Sequence, residues 1–343
     1  MHTVKICDKL IGENYPTYVI SEIGGNFINF DEAKRLIDLS ISVGADAVKL
    51  QTYRAETISS KSAVYDMPNT GNANQFELFK KYEINFELHK DIWHYCHEKG
   101  IDVFSTPSHM TDIELLEKLD CPAYKIGSDD GYNIPFLEEV ASIGKPILLS
   151  TGMCTMNEVR ESVSAILGKG NSELIILQCV TNYPASPEHV NLKVIQTMKK
   201  EFGLPVGYSD HTLGSACCIA AVSIGANVIE KHFTFDKNAD GPDHMLSADP
   251  DEMNQLIENI RIVEKALGDG VKRPSKGEKT TRINNRKSIV SVQIIPKGSV
   301  ITKDMIAIKR PGFGIQPKFF QQVIGRTAKI EINPEVPILW DQI

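Results

Sequence analysis

The sequence predicts an α/β protein, a (β/α)8 TIM barrel followed by a small β-rich module, and three observations carry that prediction. Eight short β-rich runs alternate with amphipathic helical patterns over about 250 residues, the rhythm of repeated βα units around a parallel sheet. No G-x-G-x-x-G follows the first run, which argues against a doubly wound dinucleotide-binding sheet. Beyond residue 270 the alternation gives way to a basic, polar stretch and then to short β-like runs with Gly/Pro turns.

Taken in order, the first fifteen residues read as a short strand or hairpin with a turn around Gly12-Glu13-Asn14. The barrel strands are expected at 18–23, 47–51, 102–105, 123–126, 146–150, 174–179, 206–209 and 228–232. Between them, 31–43 reads as a helix with Ala33, Leu36, Ile37 and Ile41 on one face and Gly44 as its stop. Thr155 to Glu158 forms a capping box before Val159, Val163, Ile166 and Leu167 at helical spacing. The last barrel helix opens with Asp249 as N-cap and Pro250 at its first position. Its apolar stripe is Met253, Leu256, Ile257, Ile260, Val263 and Leu267, closed by Gly268. Domains are expected at 1–270 (barrel) and 288–343 (module), with 271–287 an exposed linker. A unit as small as the module buries little core by itself and is expected to lean on another surface.

Composition narrows the function classes. A chain of 343 residues with 42% hydrophobic and 24% charged residues is an ordinary globular protein. Its net charge of −7 argues against nucleic acid or an anionic membrane as partner, though not against a small anion held by a local lysine cluster. The seven cysteines are odd in number, lack C-x-x-C and lie mostly in apolar runs, as expected of free thiols in a reducing cytoplasm. The N-terminus has no basic-then-apolar signal pattern, and no apolar run reaches membrane-spanning length.

In a (β/α)8 barrel, chemistry sits at the C-terminal ends of the strands. All eight ends are polar here. They offer Glu22; Lys49 and Gln51; Ser105 and Thr106; Lys125, Ser128, Asp129 and Asp130; Ser150 and Thr151; Cys179, Thr181 and Tyr183; Ser209, Asp210 and His211; Glu230, Lys231 and His232. A lone strand-end Ser or Thr usually caps the next helix. Lys49 and Lys125 are harder to dismiss, because a lysine facing a barrel interior needs an anionic partner. Two such lysines beside several hydroxyls suit a phosphate and a carboxylate. Glu22, in an apolar run, is a candidate acid/base with a raised pKa. His211 and His232 form a candidate pair of ligands for a divalent cation, with Asp210 behind the first to orient it. Asp243, in Gly241-Pro242-Asp243-His244, either hydrogen-bonds a polyol or takes part in proton transfer, or simply belongs to a turn with Pro at its second position.

Assembled in order, these residues resemble the sialic acid synthase (N-acetylneuraminate synthase) family, which includes legionaminic and pseudaminic acid synthases. The resemblance rests on S-E-I-G-G-N (21–26), K-L-Q-T (49–52), F-S-T-P (104–107), Y-K-I-G-S (124–128) and L-S-T-G-M (149–153). It continues through G-Y-S-D-H-T (207–212), I-E-K-H-F-T (229–234), G-P-D-H (241–244) and, in the module, K-R-P-G-F-G (309–314). It implies that the module is an antifreeze-like SAF (β-clip) domain that lids the partner's site in a domain-swapped homodimer, with Arg310 reaching the sugar. It implies condensation of phosphoenolpyruvate with an N-acyl hexosamine of mannose type, helped by a divalent metal on His211 and His232, Mn2+ before Mg2+. Lys49, Lys125, Thr106, Ser128, Ser150 and Ser209 match the phosphoenolpyruvate pocket. Glu22 matches a charge-stabilising or proton-transfer group, and Gln51, Tyr183 and Asp243 are expected near the sugar.

Three positions differ from the family pattern. Phe27 replaces a histidine common in the family, Asp130 stands for a glutamate, and Thr181 for the asparagine of some neuraminate-forming members. Such changes point to an alternative acceptor, a 2,4-diacetamido-6-deoxy sugar leading to legionaminic or pseudaminic acid. Two further readings stay open: a Schiff-base aldolase using Lys49 or Lys125, and a non-catalytic carbohydrate-binding protein.

Overall fold

A computed structural model describes residues 2–65 and 71–343. The chain divides into two compact units, Met1–Gly268 and Asp269–Ile343.

The first unit begins with an antiparallel hairpin, β1 (Val4–Ile6) and β2 (Lys9–Ile11). Its turn lies at Cys7 and Asp8, where Cys7 takes φ +49°; the turn expected around Gly12-Glu13-Asn14 is present too, after β2, with Asn14 at φ +71° and Tyr15 N donating to the Gly12 carbonyl at 3.4 Å. Lys9 Nζ donates to the Asp46 carbonyl at 2.6 Å and pairs with Asp102 at 3.3 Å. Asp46 directly precedes one barrel strand and Asp102 begins the next, so the hairpin sits at the N-terminal end of the barrel, opposite the catalytic end.

Eight parallel strands then close into a barrel: β3 (Tyr18–Glu22), β4 (Ala47–Thr52), β5 (Asp102–Pro107), β6 (Tyr124–Ile126), β7 (Ile147–Ser150), β8 (Leu174–Cys179), β9 (Val206–Asp210) and β10 (Val228–His232). Each lies within two residues of its expected bounds. Strand β10 pairs with β3, and the register sets Glu22 beside both Lys49 and His232. Among the described residues no helix is long and apolar enough to cross a membrane.

Helix ends follow the sequence, whereas two helix faces do not. Thr155/Glu158 and Asp249/Glu252 both form complete capping boxes. In the helix Phe30–Ser42 the buried face is Ala33, Leu36, Ile37 and Ser40, while Ile41 is 37% exposed. In Met156–Gly168 it is Val159, Ser162, Val163 and Ile166, while Leu167 is 41% exposed. The i, i+3, i+4, i+7 geometry chooses the position and overrules the more apolar neighbour. Ser162 is accommodated by donating to the Gly131 carbonyl at 2.6 Å. The last barrel helix, Pro250–Leu267, buries Met253, Leu256, Ile257 and Ile260, but Leu267 in its final turn is exposed.

Residues 271–287 are exposed, yet they are not simply extended linker: Glu278–Asn284 is helical, and Gly312 N donates to the Ile283 carbonyl at 2.7 Å within the second unit. That unit pairs β11 (Ser288–Ser291) with β12 (Ile306–Lys309) and has its own small core of Ile289, Ile295, Ile301, Ile315, Ile332, Ile338 and neighbours.

One buried histidine gives the barrel a pH-dependent stability. His89 bonds the Asn85 carbonyl through Nδ1 at 2.8 Å and Thr52 Oγ1 through Nε2 at 2.9 Å, which suits a neutral ring. Burial lowers its pKa from 6.5 to about 4. The unfolded chain therefore binds the extra proton first. Its contribution is complete above pH 6.5 and is lost as pH falls toward 4, by about 3 kcal/mol. Denaturant titrations of His89→Gln should show a correspondingly flatter dependence across that window; an unchanged slope assigns the effect elsewhere.

Candidate active site

The strand ends meet in one cavity of about 420 Å3 at the C-terminal end of the barrel. Thirteen of the fifteen residues expected in a site line it: Glu22, Lys49, Gln51, Thr106, Lys125, Ser128, Ser150, Thr181, Tyr183, Ser209, His211, His232 and Asp243. The other two are placed differently. Asp130 turns away and accepts from Asn133 Nδ2 at 2.9 Å, with burial raising its pKa to about 6; its neighbour Asp129 lines the cavity instead. Arg310 belongs to the second unit, directly after β12.

Four charges form the floor. Glu22 and Lys49, adjacent in register, make a buried ion pair. Lys49 also donates to Thr106 Oγ1 at 2.9 Å and lies 3.7 Å from Glu230. Lys125 reaches Glu230 at 3.2 Å, and Ser209 donates to the same carboxylate at 3.1 Å. Burial works against the charge on Glu230, but Lys125 and Lys49 hold its pKa down to about 2. Burial raises that of Glu22 despite Lys49, and Glu230 adds to the rise. Burial opposes the charge on Lys49 too, yet Glu22 and Glu230 keep its pKa above the ordinary value. Gly24 permits the arrangement, since a Cβ there would meet Glu22 Oε1 and the Gln51 side chain.

The histidines stand at the ends of β9 and β10, their rings 5.4 Å apart, with Tyr183 stacked 4.1 Å from His211. His211 Nδ1 donates to the Val180 carbonyl at 2.8 Å, so Nε2 carries the lone pair when the ring is neutral. Burial opposes its charged form, but Cys179 and that carbonyl raise its pKa above the ordinary value. Burial, then His211 and Lys49, push His232 well below the ordinary value, so its ring is neutral. Its Nδ1 is buried without a hydrogen-bond partner, 3.6 Å from Asp243. Burial and then Glu22 raise Asp243 to about 7. An imidazole with a free lone pair beside an orphaned ring nitrogen fits a divalent cation. Among the described residues no group of three His, Cys, Asp or Glu side chains is arranged to hold a metal. A cation here would rest on two imidazoles and on ligands from outside the chain. Ser150 Oγ, Thr181 Oγ1 and Glu230 Oε2 are likewise buried in this cavity without partners, and such groups call for a ligand.

Asp210 is not behind His211. It accepts from Tyr208 OH and Thr212 N, each at 2.8 Å, and pairs with Lys231 at 2.7 Å, bracing β9 against β10 on the outer face of the wall.

Sequence reasoning gave Glu230 no role, although two-residue alternation sets it on the same side as His232. It also passed over Tyr53, Tyr65, Leu78, Phe79 and Tyr82, which line the cavity from the excursion after β4. A signal was present, since five of the thirty residues from 53 to 82 are aromatic, against 7% over the chain.

Fold and site together define a barrel protein of enzyme type, with a polar, charge-paired cavity at its catalytic end and a separate C-terminal module. Residues 36–272 match the NeuB family and residues 286–343 the SAF domain, and the chain belongs to the NeuB family. It is 41% identical to a protein of uncharacterised function from Methanocaldococcus jannaschii, over 100% of this chain and 99% of the relative. It is 39% identical to the N,N'-diacetyllegionaminic acid synthase of Legionella pneumophila, over 97% and 96% of the two chains. Among solved structures it resembles the N-acetylneuraminic acid (sialic acid) synthetase of Leptospira borgpetersenii, with TM-score 0.75 and 31% identity, over 82% of this chain and 95% of the other.

Proposed function

We propose that the protein condenses phosphoenolpyruvate with an N-acylated mannose-like sugar and water, a reaction of N-acetylneuraminate synthase type. The observation that carries this reading is the floor of the cavity, where two buried lysines share two carboxylates in the same cavity as a pair of adjacent histidines. The phosphate and carboxylate of phosphoenolpyruvate take up Lys125, Lys49 and the hydroxyls of Thr106, Ser128, Ser150 and Ser209. A divalent cation, Mn2+ before Mg2+, would be held by His211 and His232 and would supply Lewis-acid polarisation of the acceptor aldehyde. Gln51, Tyr183, Thr181 and Asp243 orient that acceptor.

Carbon 3 of phosphoenolpyruvate bonds to the aldehyde carbon, whose oxygen takes a proton and becomes a hydroxyl. Cationic charge develops at carbon 2, where the Glu22 carboxylate stabilises it. Water adds at carbon 2 and gives up a proton. The carbon 2–oxygen bond then breaks as the new hydroxyl gives up its proton and becomes the carbonyl, and phosphate leaves with the bridging oxygen and a proton. The product is a nine-carbon 2-keto acid. Glu22 and Asp243 are the groups placed to exchange these protons. Lys49, held charged by its two carboxylates, is poorly suited to act as a free amine, which counts against a Schiff-base aldolase. We place the reaction in a reducing cytoplasm, consistent with seven free cysteines.

We also propose a homodimer in which Arg310 of each subunit serves the barrel of the other. Mixing His211→Ala and Arg310→Ala proteins would then restore about a quarter of wild-type turnover, because half the dimers hold one intact site. No recovery refutes the exchange.

The function is tested by phosphate release from phosphoenolpyruvate with a panel of N-acyl hexosamines, with and without chelator, and by mass spectrometry of the product. Release that requires both a sugar and a metal is the expected result. Borohydride trapping of pyruvate on Lys49 or Lys125 would support the aldolase instead, and no release with any sugar leaves a carbohydrate-binding protein.

A further inference from the structure

Asp243 reaches the cavity from a loop, whereas Glu22, Lys49 and His232 stand on strands. The loop leaves β10 after His232 and returns beside it. Phe233 bridges Ala248, Ala248 N donates to the His232 carbonyl at 2.8 Å, and Thr234 N donates to the Ala248 carbonyl at 2.9 Å. That closure fixes the two ends of the loop but not the place of Asp243 within it.

The side chains of Ser247 and Asn26, both buried, set that place. The Asp243 carbonyl accepts from Leu246 N at 3.2 Å, from Ser247 N at 3.1 Å and from the Ser247 hydroxyl at 2.7 Å. With its proton committed to that bond, the hydroxyl accepts from Asn26 Nδ2 at 3.0 Å. The same amide nitrogen donates to the Phe233 carbonyl at 2.9 Å. A carbonyl can only accept, so Asn26 faces it with nitrogen and not with oxygen. One amide thus ties the outgoing limb of the loop, at Phe233, to the returning limb, at Ser247.

Asn26 lies just beyond β3, in a stretch that also meets the Asp243 side chain. Gly25 has φ +76°, and a Cβ there would lie 3.1 Å from Asp243 Oδ2. The carboxylate therefore rests against bare backbone at Gly25, 3.6 Å from His232 Nδ1. Glu22 ends β3, and its Oε1 accepts from Gly24 N at 2.8 Å. The short run from Glu22 to Asn26 fixes both carboxylates, one directly and the other through the loop. Neither Asn26 nor Ser247 lines the cavity, so neither touches a ligand there.

We propose that Asn26 and Ser247 are positioning residues, a buried amide–hydroxyl–carbonyl relay that holds the Asp243 carboxylate in place beside His232. The inference rests on the synthase reading of the cavity and deepens it. Lys49 and Lys125 stand on β4 and β6, outside the relay, so binding of phosphoenolpyruvate should not depend on it.

The test measures kcat and KM by phosphate release, with the N-acyl hexosamine that the wild type turns over fastest, in Ser247→Ala, Asn26→Asp, Asp243→Asn and Asp243→Asn/Ser247→Ala. Ser247→Ala removes only the relay's hydroxyl, and Asn26→Asp keeps the shape while replacing the donor with an acceptor. Each should lower kcat by about tenfold to a hundredfold, the scale of a small misplacement of a reacting group, with KM for phosphoenolpyruvate within about twofold. In the Asp243→Asn background, Ser247→Ala should cost less than about twofold more, because the group it positions is already gone. If Asn26→Asp does not fold, Ser247→Ala carries the test. A kcat within about twofold of wild type in Ser247→Ala overturns the relay and leaves the synthase reading standing. So does a KM for phosphoenolpyruvate that rises in step with the loss of kcat, the mark of a merely structural effect. An undiminished loss in the Asp243→Asn background has the same meaning. No phosphate release by the wild type with any sugar overturns the synthase reading, and the inference with it.

Discussion

Lys125→Met should lower kcat/KM for phosphoenolpyruvate by about a hundredfold to a thousandfold, the scale on which loss of a single charge-stabilising donor is felt in a buried site. The floor balances Glu22 and Glu230 against Lys49 and Lys125. Removing one ammonium leaves a net negative cavity before a polyanionic reactant arrives, so binding loses an attraction and meets a repulsion. The folded protein should suffer as well. Breaking one side of a buried pair costs about 3–5 kcal/mol, less whatever Glu230 recovers by taking up a proton. The double variant Lys125→Met/Glu230→Gln separates the two effects, because it removes both charges. Its unfolding midpoint in denaturant should return toward the wild type, and its activity should not. A single variant whose KM for phosphoenolpyruvate stays within about twofold would show that Lys125 is not an anion ligand. So would recovery of turnover in the double variant.

His232→Leu should have the opposite signature, with activity lost and stability kept or raised. In the metal-free protein His232 is buried with Nδ1 unpartnered, and leaving such a group unsatisfied costs about 1–3 kcal/mol. An apolar side chain of similar size removes that cost. The same change would leave a cation with a single protein imidazole, and turnover should fall by about a hundredfold to a thousandfold, the scale of losing a group that stabilises developing charge. Dialysis against Mn2+ followed by metal analysis would find bound metal in the wild type and none in the variant. Equal retention of Mn2+ with undiminished turnover would remove His232 from the site. A stability gain paired with loss of function is the expected mark of a residue kept for chemistry rather than for packing.

How much of this was legible in the sequence differs from residue to residue. Lys49 and Gln51 were readable as neighbours on the inward side because strand side chains alternate with a period of two. The same rule sets Glu230 and His232 inward and Lys231 outward, as the structure has it. What alternation cannot supply is the partner. Glu230 bridges Lys49 and Lys125 because the closed register brings β4, β6 and β10 around one axis, and that closure depends on all eight strands at once. Beyond a strand end the period stops, which is why Asp129 and Asp130 exchanged places. Each is one residue from the other in a turn where side-chain direction follows local backbone angles.

The sequence by itself determined the alternating elements, their caps, the second domain and the polar strand ends, because each is written in local periodicity and residue type. Only the tertiary structure decided that Asp210 faces away from the site and pairs with Lys231. It alone turned a loop of scattered aromatics into one wall of the cavity. Those outcomes depend on packing between segments distant in the chain, and no single segment contains the information to settle them.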